Sequence, residues 1–222
     1  MSVFHIKLIA IILMVVDHVG IFFFPELLIF RIIGRLSFPL FGWLIANGAY
    51  HTKNINAYTF RLFVFALISQ IPYWLAFHSI TSEIGFNIFF TLTLGVLAIQ
   101  LIQRTNQKLV WIGIGLVGAI IGEILAVDYG AAGVLSILMF YFFFHNPLKM
   151  FLSQLLIFIS FYTVPILEQG MSNDIVALFQ PVAAFVVIVI AFYNGREGPK
   201  AKYLFYLFYP LHLLILYLIA GI

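Results

Sequence analysis

Long apolar runs separated by short polar connections dominate the chain. Nine such runs stand out, at 5–24, 27–46, 58–77, 87–103, 109–127, 130–145, 149–166, 174–193 and 203–221. A membrane-crossing helix needs about 20 mostly apolar residues, within a range of about 17–25. The second run is interrupted by two arginines and the sixth is short, but both fit the series. The connections are too brief to hold a soluble domain. The pattern predicts an all-α fold: a polytopic transmembrane helical bundle of about nine spans, forming a single domain over residues 1–222. No internal repeat or low-complexity segment breaks it.

Composition explains why the runs must meet lipid. Hydrophobic residues make up 64% of the chain and charged residues 9%, with a mean hydropathy of +1.13. Soluble domains average about 25% charged residues, so this chain lacks the charged skin that a globule in water requires. The same values exclude disorder, which needs low hydrophobicity and high charge. The net charge of +3 comes without any basic run, so nucleic acid is not an expected partner. Cysteine is absent, which removes disulfides, thiolate nucleophiles and thiolate-ligated metals. Lys7 opens the first apolar run, but Asp17 and His18 interrupt it and no small-residue cleavage site follows. We therefore expect a retained first span and not a signal peptide.

Charge placement gives the expected orientation. With strict alternation of nine spans, Lys7, Lys53, Arg61, Arg104, Lys108, Lys149, Arg196, Lys200 and Lys202 all fall on one side. Glu83, Asp128, Glu168 and Asp174 fall on the other, without any Lys or Arg. Cationic residues favour the cytoplasmic side. The N-terminus is thus expected in the cytoplasm and the C-terminus outside.

Two arginines escape this segregation. Arg31 and Arg35 lie within the second run, four residues apart and so on one helix face. Other intramembrane polar residues are Asp17 and His18 in the first run, Glu123 late in the fifth and His212 in the ninth. Ser69, Gln70, Asn87 and Thr91 add neutral polar groups. A charge at the centre of a span costs about 2.5–3.5 kcal/mol on insertion scales, so such residues mark function or a locked ion pair. The structural alternative is that Arg31 or Arg35 pairs with Asp17 or Glu123. His5, His51, His78 and His145 lie near helix ends and are expected to be interfacial. The prolines are expected to kink helices. No serine nucleophile motif, phosphate-binding glycine loop or metal spacing occurs, and no metal is expected.

The remaining chemistry centres on His18. A neutral imidazole can take a proton from an amine or hydroxyl as it attacks an acyl carbon. Adjacent helical residues point about 100° apart, so Asp17 need not touch His18 and can pair with an arginine. An arginine in a dry site can stabilise an oxyanion or bind a phosphate. His212 is a second potential base or an orienting partner.

Several motifs resemble the TraX family. They begin with Lys7-Leu8-Ile9-Ala10 through Asp17-His18, and with Arg31-Ile32-Ile33-Gly34-Arg35-Leu36-Ser37-Phe38-Pro39-Leu40-Phe41. Next come Arg61, Ser69-Gln70-Ile71-Pro72-Tyr73 and Asn87-Ile88-Phe89-Phe90-Thr91-Leu92. The last are Tyr193-Asn194-Gly195-Arg196 and Lys202 through Leu214, with Tyr209-Pro210-Leu211-His212 inside. They span nearly the whole chain, in order. The resemblance implies an integral-membrane acetyltransferase, related to the wider transmembrane acyltransferase group. It implies acetyl-CoA as donor and a pilin or other peptide N-terminus, or an envelope glycan, as acceptor. A bacterial cytoplasmic (inner) membrane location follows from the same likeness. It makes His18 the expected general base, with Asp17, Arg31, Arg35 and His212 as partners. Arg31, Arg35, Arg61, Arg196 and Lys202 become candidates for holding the donor, Lys200 joining the last three at a basic cytoplasmic mouth between spans one, two and nine. The plainer role of these mouth residues is to set topology.

Two other functions use the same residues. A small-molecule transporter or flippase could pass ions along the intramembrane charges, but the paired repeats and broken helices common in transporters are not evident. A noncatalytic scaffold for pilus assembly would tolerate substitution at His18 and Arg35.

Overall fold

The computed structural model describes residues 1–78, 80, 85–169 and 175–221, with the side chains of Gln169 and Lys202 outside the description. Among these residues regular structure is helical throughout, apart from one isolated parallel bridge between Phe86 and Val127. The helices are α1 (Val3–Phe23), α2 (Leu28–Gly34), α3 (Ser37–His51), α4 (Ile55–Phe77), α5 (Ile88–Ile102) and α6 (Lys108–Ile124). After them come α7 (Gly130–Phe142), α8 (Pro147–Phe158), α9 (Val164–Gln169), α10 (Val186–Ala191) and α11 (Lys202–Ala220). A π-helical turn, Ile159–Thr163, joins α8 to α9, and a 3₁₀ helix, Ala177–Phe185, leads into α10.

Each predicted apolar run coincides with one of these helices or with a contiguous pair. Five stretches are long and apolar enough to cross a bilayer: Val3–Phe23, Leu28–His51, Ile55–Phe77, Pro147–Glu168 and Tyr203–Ala220. Shorter apolar helices accompany them at Ile88–Ile102, Gly130–Phe142 and Ala177–Ala191. The chain is an all-α, multi-pass membrane protein. Glu83 and Asp174, used above for the orientation, lie outside the described residues.

The second run differs in detail from a single span. It breaks at Arg35 and Leu36, between α2 and α3. Pro39 has no N–H, which is harmless only in the first turn of a helix, where that group has no intrahelical acceptor. Helix α3 therefore begins just before it, at Ser37, whose hydroxyl donates to the Ala10 carbonyl at 2.9 Å.

The chain divides into two compact units. The first comprises Met1–Leu44 and Phe142–Lys200. Here α1 packs along α2, and α8 and the π-turn pack on the 3₁₀ helix. Ile6, Ala10, Leu40, Trp43 and Phe158 are buried in its core, with Trp43 stacked on Phe144. The first residues of the chain pair through backbone hydrogen bonds with the segment before α11: Val3 N to Arg196 O at 2.9 Å and Phe4 N to Glu197 O at 3.0 Å. The second unit comprises Ile45–Tyr141 and Ala201–Ile222. In it α4 packs against both α5 and α11, and α5 against α6. Leu62, Val96, Ile99, Ile137 and Leu213 form its buried centre.

The four histidines expected at helix ends are found there. His5 lies in the first turn of α1, 2.7 Å from the Ser2 hydroxyl. His51 closes α3 with Nδ1 2.9 Å from the Asn47 carbonyl, and His78 follows α4 with Nδ1 2.9 Å from the Leu75 carbonyl. His145 falls between α7 and α8.

Candidate functional site

In the first unit two helices bring charge together. Asp17 on α1 sits 2.8 Å from one guanidinium nitrogen of Arg31 on α2. Arg35, just past the end of α2, approaches the same carboxylate at 3.3 and 3.4 Å. One carboxylate thus serves two guanidinium groups, and the trio carries a formal charge of +1. Side-chain exposure of 14–20% leaves all three largely withdrawn from surroundings. Such charges are tolerated only when paired, because desolvation costs several kcal/mol per ion. Glu123, the alternative partner, instead accepts a hydrogen bond from the backbone N–H of Ala131 at 3.0 Å. That contact places a carboxylate at the N-terminus of α7, where the helix dipole favours it.

Gly34 shows how tightly this cluster is built. A Cβ at this position would collide with the Asp17 carboxyl group. Only glycine lets the α2 backbone come close enough for arginines on both sides of it to share the acid. His18 follows Asp17 directly on α1 and is half-buried.

The fourth member of the cluster is Gln180, on the 3₁₀ helix. Arg35 donates to its side-chain oxygen at 3.2 Å. Gln180 is fully buried, and its amide nitrogen has no hydrogen-bond partner among the described residues. Sequence reasoning missed it, because a lone glutamine inside an apolar run carries little signal. The available clue was the dipeptide Gln180-Pro181: the proline supplies no N–H to an α-helical ladder, and a polar side chain precedes it.

The second unit holds a different polar set. Asn87 caps α5, its side-chain oxygen accepting from Phe89 N at 3.0 Å. Its amide donates to the Ala66 carbonyl at 2.8 Å and to the Gln70 oxygen at 2.7 Å. Gln70 in turn donates to the Gly85 carbonyl at 3.1 Å. The Thr91 hydroxyl donates to the Asp128 carbonyl. This bond helps hold a turn in which Ala126, Tyr129 and Gly130 all have positive φ. Of the four neutral polar residues singled out in the sequence, Ser69 alone keeps a buried hydroxyl without a partner among the described residues.

His212 belongs to this second unit and is buried in α11. Its Nδ1 lies 3.0 Å from the Phe208 carbonyl. A carbonyl can only accept, so Nδ1 carries the proton in this contact. Arg61 on α4 lies over the Tyr58 ring at 5.9 Å.

The expected donor-binding residues therefore divide. Arg31 and Arg35 join the Asp17 cluster. Arg196 and Lys200 are exposed at the end of the first unit, whereas Arg61 and Lys202 belong to the second. No group of three or more metal-capable side chains occurs among the described residues.

Comparison with known proteins supports the likeness read from the motifs. The TraX protein family matches residues 2–220. A probable fimbrial assembly protein FimC of serogroup H1 from Dichelobacter nodosus is 29% identical over an alignment of 231 positions, covering 97% of this chain and 94% of the relative. An uncharacterized protein, RP591, from Rickettsia prowazekii (strain Madrid E) is 35% identical over 66 residues, covering 30% of this chain and 25% of its own length. No solved structure matches. With a family match running almost from end to end and through every element of the Asp17 cluster, the chain belongs to the TraX family.

Proposed function

We propose that this protein is a membrane acetyltransferase acting in fimbrial or pilus assembly. It moves acetyl from cytoplasmic acetyl-CoA to an amine or hydroxyl at the outer face of the bacterial inner membrane. The acceptor class is a pilin or peptide N-terminus, or an envelope glycan. The observation that carries this reading is the Asp17–Arg31–Arg35 cluster, net positive and one residue from His18. The full-length likeness to a fimbrial assembly protein supports the pilus context.

In the proposed reaction the acceptor nitrogen or oxygen attacks the thioester carbonyl carbon, and His18 takes the acceptor's proton. The carbonyl π electrons move onto oxygen, and the net positive cluster stabilises the charge that develops. Collapse restores the carbonyl, breaks the carbon–sulfur bond and releases the thiolate, which recovers the proton from His18. Asp17 holds the arginines in place in this scheme. His212, in the second unit, is proposed separately as a candidate proton-transfer group, its Nδ1 held by the Phe208 carbonyl. Arg196 and Lys200, exposed at the end of the first unit, would attract the donor's phosphates.

The test is transfer of labelled acetyl from acetyl-CoA by protein in lipid vesicles, with mature pilin or an envelope glycan fraction as acceptor. His18→Ala should lose transfer while keeping its thermal transition. Wild-type rates from that variant would remove His18 from the chemistry. Uptake of solute by vesicles lacking any acyl-CoA would favour a transporter.

A further inference from the structure

We infer that Gln180 is a catalytic residue, donating a hydrogen bond to the acyl carbonyl oxygen as it becomes an oxyanion. This rests on the transferase reading above and names a group that motif reasoning did not find.

The first observation is orientation. Glutamine amides can be assigned either way round, but here Arg35 fixes the choice. A guanidinium has only donors. The atom it meets at 3.2 Å must therefore be the amide oxygen, and the NH₂ group points away from Arg35.

The second observation is that this NH₂ group finds no acceptor. Gln180 has no exposed surface, and its nitrogen is buried without a partner among the described residues. Buried polar side-chain atoms are hydrogen-bonded in the large majority of cases, so an exception calls for an explanation. A group that must be free to meet a transient acceptor supplies one.

The third observation is the backbone. Gln180 sits in a nine-residue 3₁₀ helix, far longer than the three or four residues usual for that geometry. This helix packs on a π-helical turn, a form that concentrates at functional sites. At the end of that turn the Thr163 hydroxyl is a second buried polar group without a partner among the described residues. Two irregular segments and two unused polar groups thus occur together in the unit that holds the arginine cluster.

The chemistry matches one ligand class. A neutral NH₂ donor fixed by an arginine, beside a cluster of net charge +1, suits an oxygen that gains negative charge during reaction. In the scheme above that oxygen belongs to the acyl thioester. As the acceptor attacks, the carbonyl electrons move to oxygen and the Gln180 N–H bond strengthens. When the carbonyl reforms and the thiolate leaves, the bond weakens again. Arg35 is then a positioning residue that aims the amide.

Two substitutions test this. Gln180→Glu keeps an acceptor for Arg35 but removes the donor. It should raise the melting temperature by about 3 °C, because an unmade hydrogen bond is replaced by an ion pair. The same variant should lose about 10²–10³ in kcat, with KM for acetyl-CoA within about threefold of wild type. Gln180→Met, uncharged and similar in shape, should show the same fall in kcat and provides the reading if the glutamate variant misfolds. Affinity for ethyl-CoA, which lacks the carbonyl oxygen, should not change in either variant. Transfer at wild-type kcat by a stably folded Gln180→Glu or Gln180→Met protein would overturn the assignment while leaving the transferase reading intact. Wild-type protein that neither binds acetyl-CoA nor transfers acetyl would overturn both together.

Discussion

The two units meet the same solvent problem in opposite ways. In the second, Asn87 and Gln70 are neutral and saturated: each amide oxygen and each amide nitrogen of this pair has a partner. In the first, two guanidinium groups share one carboxylate, and the glutamine beside them keeps an unused donor. A closed network stabilises a bundle and binds nothing further. An open, positively charged one retains interaction free energy for something that arrives later. The contrast separates polar residues that build the fold from those available for chemistry, although both kinds lie within apolar runs.

The largest expected effect comes from removing the shared acid. Asp17→Ala leaves two guanidinium groups without their carboxylate and should destabilise the protein by about 3–5 kcal/mol, read as loss of folded protein after detergent extraction. Gly34→Ala reaches the same cluster without touching a charge. Its Cβ would force α2 away from Asp17, at a cost of about 1–3 kcal/mol, and acetyl transfer should fall with it. Asn87→Ala attacks the closed network and should cost about 2 kcal/mol, since the Ala66 carbonyl and Phe89 N–H lose their partner. Transfer per folded molecule should not change; a large fall there would break the distinction between the two networks. Thr91→Val removes one hydroxyl bond to the Asp128 carbonyl and should cost about 1 kcal/mol in thermal denaturation. Ser69→Ala is the smallest, within about 0.5 kcal/mol of wild type, because its hydroxyl has no partner to lose.

Much of the fold was legible because lipid imposes a simple rule on sequence. Among the described residues every apolar run became a helix or a succession of helical segments. The break at Arg35 was harder to see, since apolar residues continue across it and the proline lies four residues further on. The π-turn at Ile159–Thr163 leaves no mark in hydropathy, because its residues are as apolar as their neighbours. Within the candidate site, Asp17, Arg31 and Arg35 could be found because charge in an apolar run is conspicuous. The four-residue spacing put both arginines on one helix face but did not choose between Asp17 and Glu123 as their partner; the structure selects Asp17. Gln180 could not be found this way: its significance depends on what its nitrogen lacks, and only three-dimensional placement reveals that.

Synthesis delivers these groups in a definite order. Asp17 and Arg35 are separated by 18 positions, so they can pair as soon as the first unit's opening segment, Met1–Leu44, has emerged. Gln180 follows Arg35 by 145 positions, after residues 45–141 of the second unit have been made. The nascent chain can therefore neutralise part of its charge in the membrane long before the donor group joins it. Assembly of the ion pairs is early and local, whereas completion of the site depends on a late, long-range closure. A chain truncated between the two events would keep its paired arginines and lack the amide beside them.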